Sequence, residues 1–465
     1  MISILRTPPI RLVRPPPGSA VVYSTPETAV PDEHRRALAI LLLVLPIFGQ
    51  TFYYLLELPV PYFLSKAWPF LMLPLSIYAL FVFELPYKAV FALLLAYAMG
   101  LSPLLGMLYF GNGFVDSLTT TVKIWSFTYY FAFAAMLAWL RPRPATIARA
   151  FVILGALTYI TMWLLWIFAP TDWYGSDPAK GKLLMFEYER GNRIYMPMFF
   201  GMIFLFYLTR RFCRNWEWWV GLLIPAIFAS QIIIYKQRIS ILAAVIVVYA
   251  IIISSTQGTL RRFLVACGLL AASGIIAVVS GPIALEFGES LGGSLSVRMV
   301  SFATATEFLG NDPLRWLFGV GATTRFSSIT LAEIFNNKNF YLADLGWLGI
   351  VFEYGLVGAL LVVGVYLGGL LFTWQTARLD GTPLVRALAD YMFFLFLTST
   401  VYSFVFTPGE LGTILAVAAY LRSQGPHPWI PSPLAVDTVQ QRTGRTWITH
   451  ARPRRYGRDT EAGSP

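Results

Sequence analysis

The sequence predicts an all-α polytopic membrane protein of about twelve transmembrane helices with a large helical loop on its outer side. Three observations carry this. Of 465 residues, 57% are hydrophobic and only 13% charged, whereas charged residues make up about a quarter of a soluble domain. Apolar runs near the roughly 20 residues needed to cross a bilayer recur along most of the chain. Basic residues fall in alternate connections, as short cytoplasmic loops require. An ordinary cytosolic enzyme is excluded.

Residues 1–36 are rich in Pro and Arg (RTPPIRLVRPPPG) and contain no apolar h-region, so they read as a disordered cytoplasmic tail and not a signal peptide. The transmembrane domain follows over 37–422. Its apolar runs are 37–56, 67–83, 89–110, 121–140, 150–170, 195–209, 217–235, 239–255, 263–281, 344–372, 387–404 and 409–421. The sixth and twelfth are short, and the join between the seventh and eighth is tight. Interior Pro69, Pro74, Pro103 and Pro225 are tolerable because neighbouring helices satisfy the freed backbone groups. Residues 423–465 form a second basic tail. Contact with anionic lipid or a partner protein is one reading of it; a plain positive-inside anchor is the preferred one. No internal repeat is present.

The net charge of +11 gives the direction. With the N-terminus inside, the inner segments hold Arg6, Arg11, Arg14, Arg35 and Arg36, then Lys88, then Arg141, Arg143 and Arg149. Arg210, Arg211 and Arg214 follow, then Arg261 and Arg262, then Arg378 and Arg386. The C-terminal tail adds Arg422, Arg442, Arg445, Arg452, Arg454, Arg455 and Arg458. Every inner segment contributes at least one, which places both termini in the cytoplasm.

The chain has only three His and two Cys. His34, His427 and His450 lie in the tails, Cys213 in an inner loop and Cys267 within a span. No metal site, other cofactor or disulfide framework is expected, nor a nucleic-acid partner. Chemistry on the outer side must use Arg, Lys, Asp, Glu or Tyr.

Two outer connections, 171–194 and about 282–343, are longer than a join requires, and long loops in compact proteins are often functional. The second contains an amphipathic segment over 296–309 with Val297, Val300, Phe302, Ala305 and Leu309 available for an apolar face. Short helices folding back over the membrane domain are expected. Basic residues are few on this side. Arg190 and Arg193 precede the sixth span, Lys236 and Arg238 lie between the seventh and eighth, and Arg298, Arg315, Arg325 and Lys338 lie in the long loop. Arg grips phosphate oxygens in a two-pronged contact, so capture of a membrane-embedded phosphate or diphosphate is one reading. Snorkelling, or an ion pair with Glu187, Glu189 or Glu289, is the other. The first is preferred for Arg238 and Arg298, the second for Arg315, Arg325 and Lys338; Arg193 is balanced. Asp344 opens the tenth run, where it is either a general base for a hydroxyl group or a helix N-cap. Glu353, inside that run, must be protonated or paired.

The region from Tyr235 to about Gly358 resembles the shared domain of O-antigen ligases and Wzy-type polysaccharide polymerases. The resemblance rests on KQRISILAAVIVVYA, on SVRMVSFATATEFLGNDPLRWLFGVGATTRF, and on NFYLADLGWLGIVFEYGLVGALL with Glu353, Gly355 and Gly358 in the family spacing. It implies a GT-C-like fold in a bacterial inner membrane and transfer without a metal. It also implies an undecaprenyl diphosphate-linked oligosaccharide as donor, a glycan acceptor, and a possible chain-length regulator as partner. Arg238 and Arg298 fall where the family engages the diphosphate, and Arg193 is a further candidate for the same contact. Arg190, Lys236 and Glu353 are secondary candidates. Asp344 falls where ligases carry a His that activates the acceptor. Polymerases often have Asp there, which favours polymerase over ligase. The rival from another class is a carrier or flippase of lipid-linked oligosaccharide. Major facilitator carriers share the twelve-span layout, but the loop Glu84–Lys88 (ELPYK) lacks their Gly–Asp–Arg-rich signature.

Overall fold

The computed structural model describes residues 31–424 apart from 54, 112, 177–180, 182, 189, 281–292, 322–330, 337–339, 341 and 401–407. Arg325, Lys338, Glu189, Glu289 and residues 1–30 and 425–465 therefore lie outside the described residues, whereas residues 31–36, expected in a disordered tail, form the start of α1. The described chain is mostly helical. In chain order the helices are α1 (Pro31–Phe48), α2 (Pro59–Val82), α3 (Lys88–Phe110), α4 (Phe114–Thr120), α5 (Val122–Trp125), α6 (Tyr129–Leu140) and α7 (Pro144–Phe168). Then come α8 (Phe199–Asn215), α9 (Trp218–Tyr235), α10 (Arg238–Ser255), α11 (Gly258–Ser280), α12 (Gly293–Leu309), α13 (Pro313–Phe318), α14 (Leu331–Ile334), α15 (Trp347–Asp380), α16 (Pro383–Thr398) and α17 (Pro408–Ser423).

Six of these, α2, α3, α7, α9, α10 and α15, are long and apolar enough to cross a membrane. Of the other apolar runs, 263–281 lies in the 23-residue α11, and the rest are helical but shorter or interrupted. The run 121–140 is broken by a 3₁₀ turn at Ser126–Thr128, and α16 and α17 have 16 residues each. Their ends carry Pro, charge or a turn, and these stop a helix before an apolar run does.

Helix α17 is the axis of the bundle. It is buried without interruption from Leu411 to Leu421 and packs along α6. Gly412 permits that approach, since a Cβ there would lie 2.9 Å from the Tyr130 backbone nitrogen. Helices α1 and α15 flank α17, while α8, α10 and α16 pack together beside it. Phe48, Tyr129 and Phe133 fill the space between α1 and α6 with edge-on and tilted rings. The end of the bundle opposite the two long loops is fastened by charge. Arg210 donates to both carboxylate oxygens of Asp390 at 2.8 and 2.7 Å, and to Ser254. Arg211 and Asn215, both hydrogen-bonded to Glu217, hold its carboxyl below the usual carboxylate range.

The loop 282–343 has a core of its own. Ala305, Leu309, Val320, Phe340, Leu342, Leu345 and Phe352 are buried together, and Phe308 stacks on Phe110 at 5.6 Å. The apolar face of α12 differs from the sequence expectation. Ser301, Ala305 and Leu309, spaced by four, are the buried stripe, whereas Val300 and Phe302 are 52% and 53% exposed. The small Ser and Ala let α12 approach the turn Leu342–Leu345 closely. Val297 carries no described side chain.

Asp344 does not open a membrane helix. It sits in that one-turn 3₁₀ segment, and the N-cap of α15 is Gly346, at φ +53°. A Cβ at Gly346 would lie 2.6 Å from the Thr400 carbonyl, which excludes a side chain at the cap. The N-cap position of α15 is thus Gly346 and not Asp344.

Candidate functional site

The connection 171–194 folds into a short antiparallel hairpin that the helical pattern did not announce. Strand β1 (Leu184–Glu187) pairs with β2 (Gly191–Ile194), with Met185 opposite Arg193 and Glu187 opposite Gly191. Glu57 secures its base by accepting the Leu183 N–H at 2.6 Å. The other anchor is Lys236. Helix α9 ends in a π turn, Gln231–Tyr235, and Lys236 then takes a left-handed conformation with its N–H bonded to the Gln231 carbonyl at 2.8 Å. That reversal links α9 to α10 through Lys236 and Gln237 alone. It also aims the Lys236 ammonium at the hairpin, where it donates to the carbonyls of Arg190 and Asn192, both at 2.8 Å.

The hairpin thereby gathers two cations on one carboxylate, with Lys236 bonded to the backbone beside them. Arg193 pairs with Glu187, and Arg190 reaches the other Glu187 oxygen at 3.4 Å. Arg193 is 6% exposed, yet its Nε and Nη1 have no hydrogen-bond partner, and neither has Arg190 Nε. Unpaired donors on a buried guanidinium are costly and need an explanation. The Arg193 guanidinium also faces the Tyr195 ring at 5.4 Å. Arg238, two residues past Lys236, begins α10, is exposed, and makes no ion pair among the described residues.

A second group lies where the long loop locks into α15. The helix breaks at Gly355, whose φ of +64° and ψ of −177° no L-residue adopts readily. The Phe352 and Glu353 carbonyls, released by the break, accept the N–H groups of Val320 and Gly321 at 2.8 and 2.9 Å. The Tyr97 hydroxyl, carried by a π turn in α3, donates to Phe318 and Tyr354 carbonyls at 3.1 and 2.8 Å. The motifs GVG and EYG, singled out separately in the sequence, are thus one backbone joint. Glu353 is buried and is paired with Lys123 at 3.9 Å. Arg298 projects from the first turns of α12, half-buried, with its Nε unpartnered. Helix α12 packs on the turn that carries Asp344 and on α15. Arg315 is structural: it bonds the Phe308 carbonyl at 2.6 Å and pairs with Asp312 at 3.5 Å.

The sequence matches no protein-family model and no curated protein.

The structure therefore brings Arg190, Arg193 and Lys236 into contact on one side. On the other side it sets Arg298, Asp344 and Glu353 on interlocking elements. The sequence analysis missed Lys123, Tyr97 and the pair Tyr391–Glu410. An acid within an apolar run was the signal available for Glu410 (PGELGT). No group of metal-ligating side chains occurs among the described residues.

Lys236 sets a test of the hairpin's anchoring. Lys236→Met removes two charge-assisted hydrogen bonds, each worth about 1.5–3 kcal/mol, while keeping the apolar stem. Amide exchange over 184–194 is expected to accelerate at least about tenfold, with α10 unaffected. Unchanged protection of the hairpin contradicts the anchoring role.

Proposed function

We propose that the protein is a polymerase of lipid-linked oligosaccharide repeat units, acting on the outer face of a bacterial inner membrane with twelve crossings and a GT-C-like architecture. The observation that supports it best is the buried Arg193, with two donor nitrogens unpaired and, among the described residues, Glu187 as the one carboxylate paired with it and Arg190. This arrangement suits a diphosphate. Nη2 keeps Glu187 while Nε and Nη1, on different edges of the guanidinium, are each left to donate singly to a phosphate oxygen, with the fixed planar fork that a lysine lacks. Arg238 on α10 and Arg298 on α12 are assigned to the same diphosphate by the family resemblance of their sequence positions.

The reaction follows from these roles. Asp344 accepts the proton of an acceptor sugar hydroxyl as its oxygen attacks the anomeric carbon of the donor. The bond from that carbon to the phosphate oxygen breaks, and undecaprenyl diphosphate leaves with the electron pair. Arg193, Arg238 and Arg298 offset the charge that develops on it. The folded loop over 282–343 keeps water from the anomeric carbon. O-antigen ligation to lipid A-core uses the same donor, and Asp344 in place of a His weighs against it. A carrier of lipid-linked oligosaccharide is a second reading, favoured by the discontinuous helix at Gly355 with its Lys123–Glu353 pair.

Cells lacking the protein separate the three. Products with a single repeat unit at the outer face fit the polymerase, lipid-linked units held inside fit a carrier, and free polymer unattached to lipid A fits a ligase. Arg193→Ala, Arg238→Ala and Arg298→Ala are each expected to lower polymer synthesis by about 100–1,000-fold in membranes supplied with lipid-linked units. Full-length polymer from the Arg238 and Arg298 variants removes the centre of the mechanism.

A further inference from the structure

At the end of the bundle opposite the two long loops, two arginines have no role in the site described above. Helix α10 closes at Ser255, where Ser254 meets Arg210, and α11 starts at Gly258. Its first turns carry Arg261 and Arg262, both exposed. Arg210 and Arg211, at the same end, each hold a carboxylate, that of Asp390 and that of Glu217. Among the described residues Arg261 and Arg262 form no ion pair.

An open hollow of about 540 Å³ runs along this side of α11, lined among the described residues by Gly258, Arg261, Arg262, Val265, Ala266 and Leu269. The spacing of three and four puts these positions on one helix face, and the face divides by chemistry. Its head is cationic. A Cβ at Gly258 would meet nothing within 4 Å, so the first turn is open as well, and the N–H groups of a first turn favour an anion. Below the arginines the face is apolar: Val265 and Leu269 are 39% and 66% exposed, with the small Ala266 between them. From Arg262 to Leu269 this strip extends about 10 Å. The stripe that holds α11 to the bundle lies beside it. Leu264, Cys267 and Gly268 are half-buried; Tyr249 of α10 donates its hydroxyl to the Leu264 carbonyl, and a Cβ at Gly268 would meet its ring at 2.9 Å.

Two adjacent guanidiniums above an exposed apolar strip match a ligand with an anionic head and a hydrocarbon tail. Arginine is always charged and offers several donors to phosphate oxygens. A free phosphate has no use for the apolar strip, and a zwitterionic head brings an ammonium of its own against the paired cations. We propose that this face of α11 binds an anionic phospholipid, with the phosphate between Arg261 and Arg262 and an acyl chain along Val265, Ala266 and Leu269. The site stands apart from the polymerase reading and needs only a lipid bilayer around the bundle.

Titration of the purified full-length protein, stripped of native lipid in detergent, tests this with phosphatidylglycerol and phosphatidylcholine of the same chains, bound lipid being counted by native mass spectrometry. Phosphatidylglycerol is expected to bind about tenfold or more tighter. Arg261→Gln with Arg262→Gln should bring it to the level of phosphatidylcholine. Arg35→Gln with Arg36→Gln, an exposed pair of equal charge on α1, should leave it within about twofold. Ala266→Phe keeps both arginines and fills the hollow, and it should weaken phosphatidylglycerol at least about threefold. Equal wild-type affinity for the two lipids overturns the site, as does unchanged affinity in the Arg261 and Arg262 double variant. An equal loss from both arginine pairs overturns it too, since net charge and not this face then attracts the lipid. Displacement of the lipid by glycerol phosphate at an equal concentration shows a site for the free anion and overturns the lipid as occupant, and full affinity in Ala266→Phe overturns the acyl-chain contact.

Discussion

Asp390→Ala is expected to lower stability by about 3–5 kcal/mol, because it leaves the Arg210 guanidinium buried without its bidentate partner. The two side chains are 13% and 16% exposed and join α8 to α16, with Ser254 drawing in the end of α10. Water does not compensate the stranded charge at that depth. The pair itself is a different matter. Desolvating both ions offsets most of their attraction, so the double replacement Arg210→Met with Asp390→Leu is expected to recover nearly all the loss. Thermal unfolding in detergent measures both. A double variant as unstable as the single one refutes the account, since it shows that packing and not charge balance governs the site.

Gly355→Ala carries the second large effect. A side chain there has to take a left-handed conformation, at about 1–2 kcal/mol. Its Cβ also meets the backbone of the Leu317–Gly319 segment, which has no rotamer to change. Overpacking of this kind adds about 1–3 kcal/mol. The expected outcome is loss of the joint between the long loop and α15, seen as protease access at 310–321 and a lower unfolding temperature. Gly319→Ala, which presses on Glu353 from the opposite side at 2.7 Å, should do the same. If either variant keeps wild-type protection, the joint is not what holds the loop.

Much of the helical layout was legible, and for a local reason. An apolar run of crossing length declares itself residue by residue: the runs 217–235 and 239–255 correspond to Trp218–Tyr235 and Arg238–Ser255. The hairpin was not legible, because two strands of four residues are too short for alternation to register. What holds it, Lys236 bonded to carbonyls 44 and 46 residues away, leaves no local trace. GVG and EYG were both noticed for their glycines, but their backbone pairing is non-local. The apolar face of α12 was legible in part: Ala305 and Leu309 are buried as expected, whereas Ser301 takes the place of Val300 and Phe302 because a small side chain fits against the Leu342–Leu345 turn. Glu410 was passed over inside a run counted only for its length, although one carboxylate in such a run outweighs its neighbours in what it asks of the fold.

The break in α15 also fixes a depth. Unbroken, its 34 residues would extend about 51 Å, far beyond a hydrocarbon core of about 30 Å. From Gly355 to Trp374, against whose ring Arg378 lies at 3.4 Å, the helix measures about 30 Å. An interfacial Trp and a cation mark that lower boundary. A crossing from Gly355 to Trp374 would put the bend at its other end, where a change of direction in place of a tilt would relieve hydrophobic mismatch. If Gly355–Trp374 is the crossing, the eight residues before the bend extend beyond it, and Glu353 with its partner Lys123 lies at its end and not at its middle.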